Sequence, residues 1–456
     1  MNKSLIYILF FLLIYTPVSI VSINELDNVK TDKITSIEPV WNQTFGGLDD
    51  DGIASGAISV RAAASYGLFL PPIMIQTVDG GYLITGLTES YGAGFDDIWV
   101  IKTDPNGNPE WNQTFGGIQD DRPISVIQSN DGGYVVAGTT QSFGGGGFDA
   151  WLLKTDVNGQ HEWNRTFGGP ANDWANSVVQ TTDGGYLFAG GTISYGAGAS
   201  DMWLVKTNAS GTAEWNKTLG KTGVETANSI IQTSDGGFVI AGQSAPFSSL
   251  VDTFDFWMVK INASGETEWE NFFGGEGFDV AITAIQTLDG GFGLVGTRSS
   301  LGTGSSDGWL VKTNTNGHHE WNSTIGGTEP DSAETGIQTS DGGFVLVGRT
   351  SSYGAGAQDV WIVKINSNGQ HLWNSTIGGS GTDAGGSVVQ TSDGGFIISG
   401  TTESYGAGGA DFWLVKVKEV EVTTTATTTS QPTRFPGFLI LLSLGMLDFI
   451  RKLRKK

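Results

Sequence analysis

The chain has 456 residues, no cysteine and a formal net charge of −23 at pH 7. Its 69 glycines, 15 tryptophans and 11% aromatic residues indicate a folded protein with many tight turns, and they exclude a disordered chain. Residues 23–433 contain 17 basic and 46 acidic residues, which gives a net charge of −29. Such acidity disfavours binding to nucleic-acid phosphates, and the lack of cysteine excludes thiol chemistry and disulfides.

The first 22 residues have the pattern of a secretory signal peptide. Lys3 precedes an apolar run over residues 5–15, and small residues follow near Ser19 and Ser22. We therefore predict that residues 1–22 direct export and that the following domain is extracellular. An uncleaved membrane anchor at this end is the alternative.

The body of the chain consists of one unit repeated seven times, with a period of 52 residues apart from one spacing of 54 and a first interval of 70. Three markers define the unit: an Asp-Gly-Gly turn, a tryptophan that begins a Trp-x-x-Lys strand, and a tryptophan followed in most units by Asn-x-Thr. These two tryptophan positions account for 14 of the 15 tryptophans. They are Trp99, Trp151, Trp203, Trp257, Trp309, Trp361 and Trp413, and Trp41, Trp111, Trp163, Trp215, Trp269, Trp321 and Trp373.

Each unit contains four strand patterns separated by turn signals. In the second unit the strands are predicted at residues 125–128, 134–138, 151–154 and 162–167. Asp131-Gly132-Gly133 and Asn158-Gly159 provide tight turns because glycine adopts positive φ without a steric penalty. The pattern predicts an all-β fold: a seven-bladed β-propeller over residues 41–418, with four antiparallel strands in each blade.

The order of the strands predicts how the ring closes. The body begins with a fourth-type strand, residues 41–45, and ends with a third-type strand, residues 413–417. The seventh blade therefore lacks its own outer strand, and we expect the N-terminal strand to pair in that blade. This pairing would remove the open seam of the ring.

Two sets of acids recur at positions that should share one face of the ring. One set follows the fourth strand: Asp51, Asp121, Asp173, Glu225, Asp279, Asp331 and Asp383. The other precedes the third-strand tryptophan by two residues: Asp97, Asp149, Asp201, Asp255, Asp307, Asp359 and Asp411. Carboxylates are ligands that Ca²⁺ favours, so Asp121, Asp173, Asp279, Asp331 and Asp383 are candidate metal ligands. The alternative is that each Asp binds backbone N–H groups of its own turn.

Other repeated or deviant positions are candidates for binding. A glutamine recurs in every innermost strand, where it either lines the channel or bonds neighbouring backbone: Gln76, Gln128, Gln180, Gln232, Gln286, Gln338 and Gln390. Residues 50–70 carry an 18-residue excess over the repeat, and residues 243–253 replace the usual Tyr-Gly-Ala-Gly loop. Because loops on a repeated scaffold often carry function, both segments are candidate binding loops, with a neutral insertion as the alternative.

After the signal peptide the chain contains eight sequons for N-glycosylation, six of them at one repeated position in the fourth strand. On an exported chain we expect some of them to carry glycans; the alternative is that Asn and Thr merely suit an edge strand. The acceptors are Asn42, Asn112, Asn164, Asn208, Asn216, Asn262, Asn322 and Asn374.

The C-terminus is predicted to hold the protein at the cell membrane. Residues 419–434 form a Thr-rich stalk, and residues 435–456 combine an apolar run with a basic tail that would stay on the cytoplasmic side. The segment with Pro436, Gly437 and Phe438 resembles the archaeal PGF-type sorting signal. That resemblance implies recognition by an archaeosortase and replacement of the tail by a lipid, although Asp448 departs from the pattern. A retained transmembrane anchor is the alternative.

The repeat itself resembles a unit found in secreted archaeal and bacterial propellers, some of which occur beside carbohydrate-active domains and carry endoglucanase-like labels. The resemblance implies the fold and export, and it transfers no catalytic residue. No nucleophile elbow, Cys/His metal spacing or phosphate-binding loop occurs in the sequence, so we assign no catalytic or cofactor-binding residue beyond the candidate Ca²⁺ ligands. We expect a cell-surface binding or adhesion module for protein or glycan; a polysaccharide-active enzyme and a structural envelope protein are the alternatives.

Overall fold

The computed structural model describes residues 34–51, 73–245, 253–300 and 302–422. Within these ranges the chain forms 28 β-strands and no helix, and so no helix that could cross a membrane. The expected signal peptide, the C-terminal sorting signal and most of the Thr-rich stalk lie outside the described residues. Most of the 50–70 insertion and residues 246–252 of the deviant loop do so as well.

The strands follow one another along the chain in groups of four. Blade 1 consists of β2 (Ile73–Gln76), β3 (Tyr82–Thr88), β4 (Asp97–Thr103) and β5 (Pro109–Phe115). Blade 2 consists of β6 (Asp121–Gln128), β7 (Tyr134–Thr140), β8 (Asp149–Thr155) and β9 (His161–Phe167). Blade 3 consists of β10 (Asp173–Gln180), β11 (Tyr186–Thr192), β12 (Asp201–Thr207) and β13 (Ala213–Leu219). Blade 4 consists of β14 (Val224–Gln232), β15 (Phe238–Ala245), β16 (Asp255–Ile261) and β17 (Thr267–Phe273).

The remaining strands complete the ring. Blade 5 consists of β18 (Asp279–Gln286), β19 (Phe292–Arg298), β20 (Asp307–Thr313) and β21 (His319–Ile325). Blade 6 consists of β22 (Asp331–Gln338), β23 (Phe344–Thr350), β24 (Asp359–Ile365) and β25 (His371–Ile377). Blade 7 consists of β26 (Asp383–Gln390), β27 (Phe396–Thr402), β28 (Asp411–Val422) and β1 (Ile34–Phe45).

The seven sheets stand in a ring, which confirms the predicted seven-bladed propeller. Each blade is a separate four-stranded antiparallel sheet, and the innermost strands contact one another in the order β2, β6, β10, β14, β18, β22 and β26. Strand β26 in turn contacts β2, so the first and last blades are neighbours. The first strand of each later blade begins at the repeated acid, or one residue before it in blade 4. In blade 2 this is four residues earlier than predicted, because pairing with the second strand continues past a β-bulge.

The N-terminal strand closes the ring as predicted. The order in blade 7 is β1-β28-β27-β26, so β1 takes the outer position that the fourth strand takes elsewhere. Both closing strands are 12 residues long, although most strands have seven. The reason is that no Asn-Gly turn joins β28 to β1, so their pairing continues beyond the point at which the other outer hairpins turn.

Each junction between two blades contains one hydrophobic cluster, and these seven clusters hold all 14 repeated tryptophans. A junction takes a third-strand tryptophan from one blade and a fourth-strand tryptophan from the blade before it, such as Trp151 and Trp111. The closing junction has the same composition, with Trp99 from blade 1 and Trp41 from β1. The prediction that the tryptophan pairs pack between blades is therefore confirmed.

The two faces of the ring differ in their connections. We call the face with the Asp-Gly-Gly and Asn-Gly hairpins the lower face, and the face with the inter-blade connections the upper face. On the lower face the lysine of each Trp-x-x-Lys strand reaches the Asp of the Asp-Gly-Gly turn. Lys154 is 2% exposed, and its Nζ lies 3.0 Å from Asp131 Oδ2, 2.8 Å from Glu162 Oε2 and 2.9 Å from Thr155 O.

This buried lysine explains two sequence markers that seemed independent. A Cβ on Gly133, the second glycine of the turn, would lie 2.4 Å from Lys154 Nζ and 2.2 Å from Thr155 O, so no larger residue fits there. The first glycine, Gly132, has a φ of 87°, which favours glycine for a different reason. The same lysine–carboxylate contact recurs in every blade: Lys102, Lys206, Lys260, Lys312, Lys364 and Lys416.

Replacing a buried lysine should cost more than replacing an exposed one. We expect Lys154→Met to lower the free energy of unfolding by about 1–3 kcal/mol, because it removes charge-assisted hydrogen bonds and leaves a buried carbonyl without its donor. Lys217→Met is the matched control, since Lys217 pairs with Glu266 at the exposed rim and should contribute at most about 1 kcal/mol. Denaturant and thermal unfolding measure both effects. Equal losses for the two variants would contradict this account.

Candidate functional site

The glutamines of the innermost strands connect neighbouring blades on the lower face. Gln128 Oε1 accepts a hydrogen bond of 2.9 Å from the backbone N–H of Val78 in the preceding blade, and Gln180 Oε1 accepts one of 2.8 Å from Asn130. Gln338 and Gln390 make the same contact further around the ring. These amides therefore bond neighbouring backbone, which is the structural alternative that the sequence left open.

The first set of acids organises the upper-face turns. Asp121 Oδ2 accepts a 2.7 Å hydrogen bond from Gly117 N, and its Oδ1 accepts one from the hydroxyl of Thr140. Asp173, Asp331 and Asp383 repeat both contacts. In blade 5, Asp279 Oδ1 accepts 3.2 and 3.3 Å bonds from backbone N–H groups, because Arg298 replaces the threonine.

The second set of acids lies against the first at the blade junctions. A Cβ on Gly116 would lie 1.7 Å from Asp97 Oδ1 and 2.9 Å from Asp121 Oδ2, so carboxylates of two blades flank this glycine. The same arrangement surrounds the corresponding glycine at every junction, including Gly46 at the closing one. Within the described residues, Asp97 Oδ1 is buried and has no hydrogen-bond donor. Each junction thus holds a buried carboxylate pair.

These contacts bear on the candidate Ca²⁺ ligands. The candidate acids already accept hydrogen bonds from their own turns, in agreement with the alternative interpretation. In the described part of the chain, no group of three or more His, Cys, Asp or Glu side chains has the arrangement of a metal site. Ca²⁺ binding by Asp121, Asp173, Asp279, Asp331 and Asp383 therefore stays a prediction.

The sequon asparagines lie in two settings. In the outer strands, Asn42, Asn112, Asn216, Asn322 and Asn374 are exposed and Asn164 is half-buried. Asn208 and Asn262 instead accept backbone N–H bonds of 2.9–3.0 Å within the turn between the third and fourth strands, a position that Asp104 and Asp156 occupy in other blades. Glycan attachment at all eight positions stays a prediction, with the outer-strand set better placed for it.

A β-bulge in the innermost strand directs one residue of each later blade toward the central channel. The register skips one residue in each of these strands, as between Ala175 and Ser177, and bulges of this kind re-aim a side chain. The skipped residues line a channel cavity of about 180 Å³. They are Ile124, Asn176, Asn228, Ile282, Glu334 and Gly386.

The channel wall is uniform at one position and varied at the next. The residue after the bulge is Ser or Thr in every blade with a bulge. In most of these blades its hydroxyl bonds the neighbouring blade; Ser177 Oγ, for example, accepts a 3.1 Å bond from Ile230 N. The bulge position itself changes from apolar to amide to acid around the ring. Among the described residues that line the channel cavity, Glu334 is the one ionisable side chain.

A larger cavity opens beside Glu334 on the upper face, between blades 5 and 6. It has a volume of about 480 Å³, within the range of small-molecule sites. Ser332 Oγ donates a 2.8 Å hydrogen bond to Glu334 Oε1, and Arg349 Nε lies 3.7 Å from the same oxygen. Arg349 also donates to Gln358 Oε1 at 3.4 Å. Burial raises the pKa of Glu334, and the charge of Arg349 partly offsets this rise.

Apolar side chains also line this cavity. Val280, Ile282, Phe278 and Pro330 line it together with hydroxyl-bearing side chains. Ile282 and Glu334 belong to both the cavity and the channel, so the cavity opens at the channel mouth. We call this site, defined by Glu334, Arg349, Ser332, Gln358 and these apolar side chains, the channel-mouth site.

Sequence reasoning missed the channel-mouth site. Its signal was nonetheless present in the repeats. Four residues before the innermost-strand glutamine, blade 6 has Glu334, whereas the other blades with a bulge have Ile124, Asn176, Asn228, Ile282 and Gly386. One acid among apolar and amide residues is a departure from the repeat. That departure gained meaning only when the bulge showed which way the residue faces.

The buried carboxylate pairs predict a fall in stability as pH rises. Burial, reinforced by the carboxylate across the junction, raises the pKa of Asp97, Asp149, Asp255, Asp307 and Asp411, and it raises that of Glu225 to about 7. The folded protein therefore binds these protons more tightly than the unfolded chain. For Glu225 the stabilisation is complete below its ordinary pKa of 4.5 and is lost as pH rises through about 7.

We expect the melting temperature to fall between pH 5 and pH 8, and Glu225→Gln to reduce that fall. The Glu225 contribution is on the order of 3 kcal/mol. Glu329→Gln, at an exposed position, is the control and should leave the pH profile unchanged. The lower-face acids act at a different pH. Hydrogen bonds from Thr181, Gly185 and Lys206 outweigh the partial burial of Asp183 and lower its pKa to about 2. A melting temperature that rises from pH 5 to pH 8 would refute the account of the carboxylate pairs.

Comparison with known proteins gives similarity of structure alone. No protein-family model matches the chain, and no curated protein matches it either. The chain is similar to the Pan2 WD40 domain of Neurospora crassa, with 10% identity, a TM-score of 0.45, and 76% of this chain and 89% of that chain covered. It is also similar to BBS1N in its complex with ARL6DN, with 9% identity, a TM-score of 0.44, and coverage of 83% and 96%. A protein of unknown function from Bacteroides caccae has 13% identity, a TM-score of 0.38, and coverage of 63% and 92%. These values carry no argument about what the chain binds.

Proposed function

We propose that the protein is an exported, membrane-anchored binding module that takes an extracellular protein or glycan at the channel-mouth site. Export is supported by the N-terminal pattern of residues 1–22, and anchoring by the Thr-rich stalk and the segment with Pro436, Gly437 and Phe438. Both ends of the chain place the propeller outside the cell in this proposal. A rigid ring on a stalk presents its faces to molecules in the surroundings.

The observation that carries the proposal is the loss of sevenfold equivalence at the channel mouth. Most polar side chains that repeat in the blades are occupied with turns or junctions. Glu334 and Arg349 depart from the repeat, and together with apolar side chains they line a cavity of about 480 Å³. An apolar cavity with a few convergent polar groups is the usual form of a ligand site.

The charges limit the ligand. The propeller is strongly acidic, so an anionic polymer would be repelled at long range. Glu334 can accept hydrogen bonds from hydroxyl, amide or amine groups, and Arg349 can only donate. A protein segment or a glycan offers both donors and acceptors, and its apolar parts would contact Val280 and Ile282.

The test is binding of the full chain to a glycan array and to proteins of its own cell surface, with variants at the channel mouth. We expect Glu334→Gln and Arg349→Gln each to weaken binding at least tenfold, because each removes one polar contact of a buried ligand. Arg165→Gln is the matched control, since Arg165 lies exposed on the outer strand of blade 2. Binding that is unchanged in both channel-mouth variants would contradict the proposal.

A further inference from the structure

Blade 4 departs from the repeat at several positions that lie next to one another in space. The acid of the upper-face turn is Glu225, although it is Asp in the other six blades, and the residue paired with it is Ser244 instead of the usual Thr. In the outer strand β17, Glu270 replaces the sequon asparagine and Phe272 replaces the sequon threonine. These four substitutions lie in three different strands of the blade, β14, β15 and β17.

All four substituted residues line one cavity of about 320 Å³, together with Lys221 and Trp257. Departures that were neutral would be scattered over the ring, whereas these four share one wall. The cavity is within the volume range of small-molecule sites. It lies at the outer part of blade 4 and shares no residue with the channel-mouth site.

The wall of this cavity contains a flat aromatic surface. The Phe272 and Trp257 rings are stacked, with centroids 5.9 Å apart and planes 4° from parallel. Trp257 is almost fully buried, but Phe272 is 49% exposed, so its ring is open to a ligand. In the other six outer strands a threonine occupies this position. An exposed aromatic ring on a buried one is a platform for a ligand with a flat apolar side.

Charged groups surround the platform. Trp257 Nε1 donates a 3.0 Å hydrogen bond to Glu270 Oε2, which fixes this carboxylate beside the rings. A carboxylate accepts several hydrogen bonds, so Glu270 keeps capacity for a ligand, and Lys221 adds a donor. The Glu270 carboxylate disfavours an anionic ligand, whereas Lys221 disfavours a simple cation. A neutral ligand with many hydroxyl donors at its edge satisfies both limits.

We propose that this blade-4 cavity binds a neutral sugar, with one face of a pyranose ring on Phe272 and its hydroxyls directed to Glu270 and Lys221. A pyranose has C–H groups on its flat side and hydroxyls around its edge, which matches the wall. The outer strand here also lacks the Asn-x-Thr sequon that the other six carry, so glycans on those strands would leave this edge uncovered. The site is independent of the channel-mouth proposal.

The test uses the full chain, produced in a host without N-glycosylation, and calorimetric titration with glucose, mannose, galactose and their soluble neutral oligosaccharides. The variant Glu270→Asn with Phe272→Thr restores the sequence of the other six outer strands, so its fold is already accommodated by the repeat. We expect at least one of these sugars to bind, and the double variant to weaken that binding at least tenfold with an unchanged melting temperature.

Two further variants make the result specific. Phe143→Ala removes an exposed aromatic ring that lies against Trp151 in blade 2, and it should leave sugar affinity unchanged. Arg165→Gln on the exposed outer strand of blade 2 lies outside both proposed sites and should also leave it unchanged. The proposal is overturned if no sugar of the panel binds, or if the folded double variant binds as well as the unmodified chain.

Discussion

The packing of tryptophans between blades is the interaction on which the rest of the structure depends. Every junction buries a third-strand tryptophan in a hydrophobic cluster, and a partly buried fourth-strand tryptophan of the preceding blade packs against that cluster. Large aromatic side chains dominate the energetics of such contacts. Because the junctions form a ring, no blade has an unpaired face, provided that the last junction is as complete as the others. Strand β1 meets that condition by bringing Trp41 to the closing cluster.

The repeat separates structural from functional side chains. A residue present in every blade has to serve a purpose common to every blade, and the contacts show that purpose. The acids hold the upper-face turns, the glutamines connect neighbouring blades, and the lysines hold the lower-face turns. Ligand recognition needs chemistry that differs from one blade to the next. The two cavities proposed as sites are both lined by such departures, at Glu334 in blade 6 and at Phe272 in blade 4.

The architecture could be predicted from the sequence because period, turn residues and strand order are all local patterns. The pairing of Lys154 with Asp131 could not be predicted, since it joins the third strand of a blade to the turn between its first two strands. Only the Gly133 contact shows why both markers recur together. The bulge that turns Glu334 toward the channel was missed for a related reason: a bulge changes the register by one residue, and strand alternation alone does not reveal it. The terminal segments and the deviant loops stay predictions.

Closure by β1 is tested most directly by moving that strand. Deleting residues 23–45 should expose the edge of β28 and remove Trp41 and Phe45 from the closing cluster, and we predict a large loss in melting temperature. Attaching residues 34–45 after Val422 through an Asn-Gly turn should restore the melting temperature to within about 4 °C of the unmodified chain, since the same strand would then complete blade 7 from the other end. A deletion variant that melts like the unmodified chain would contradict the account.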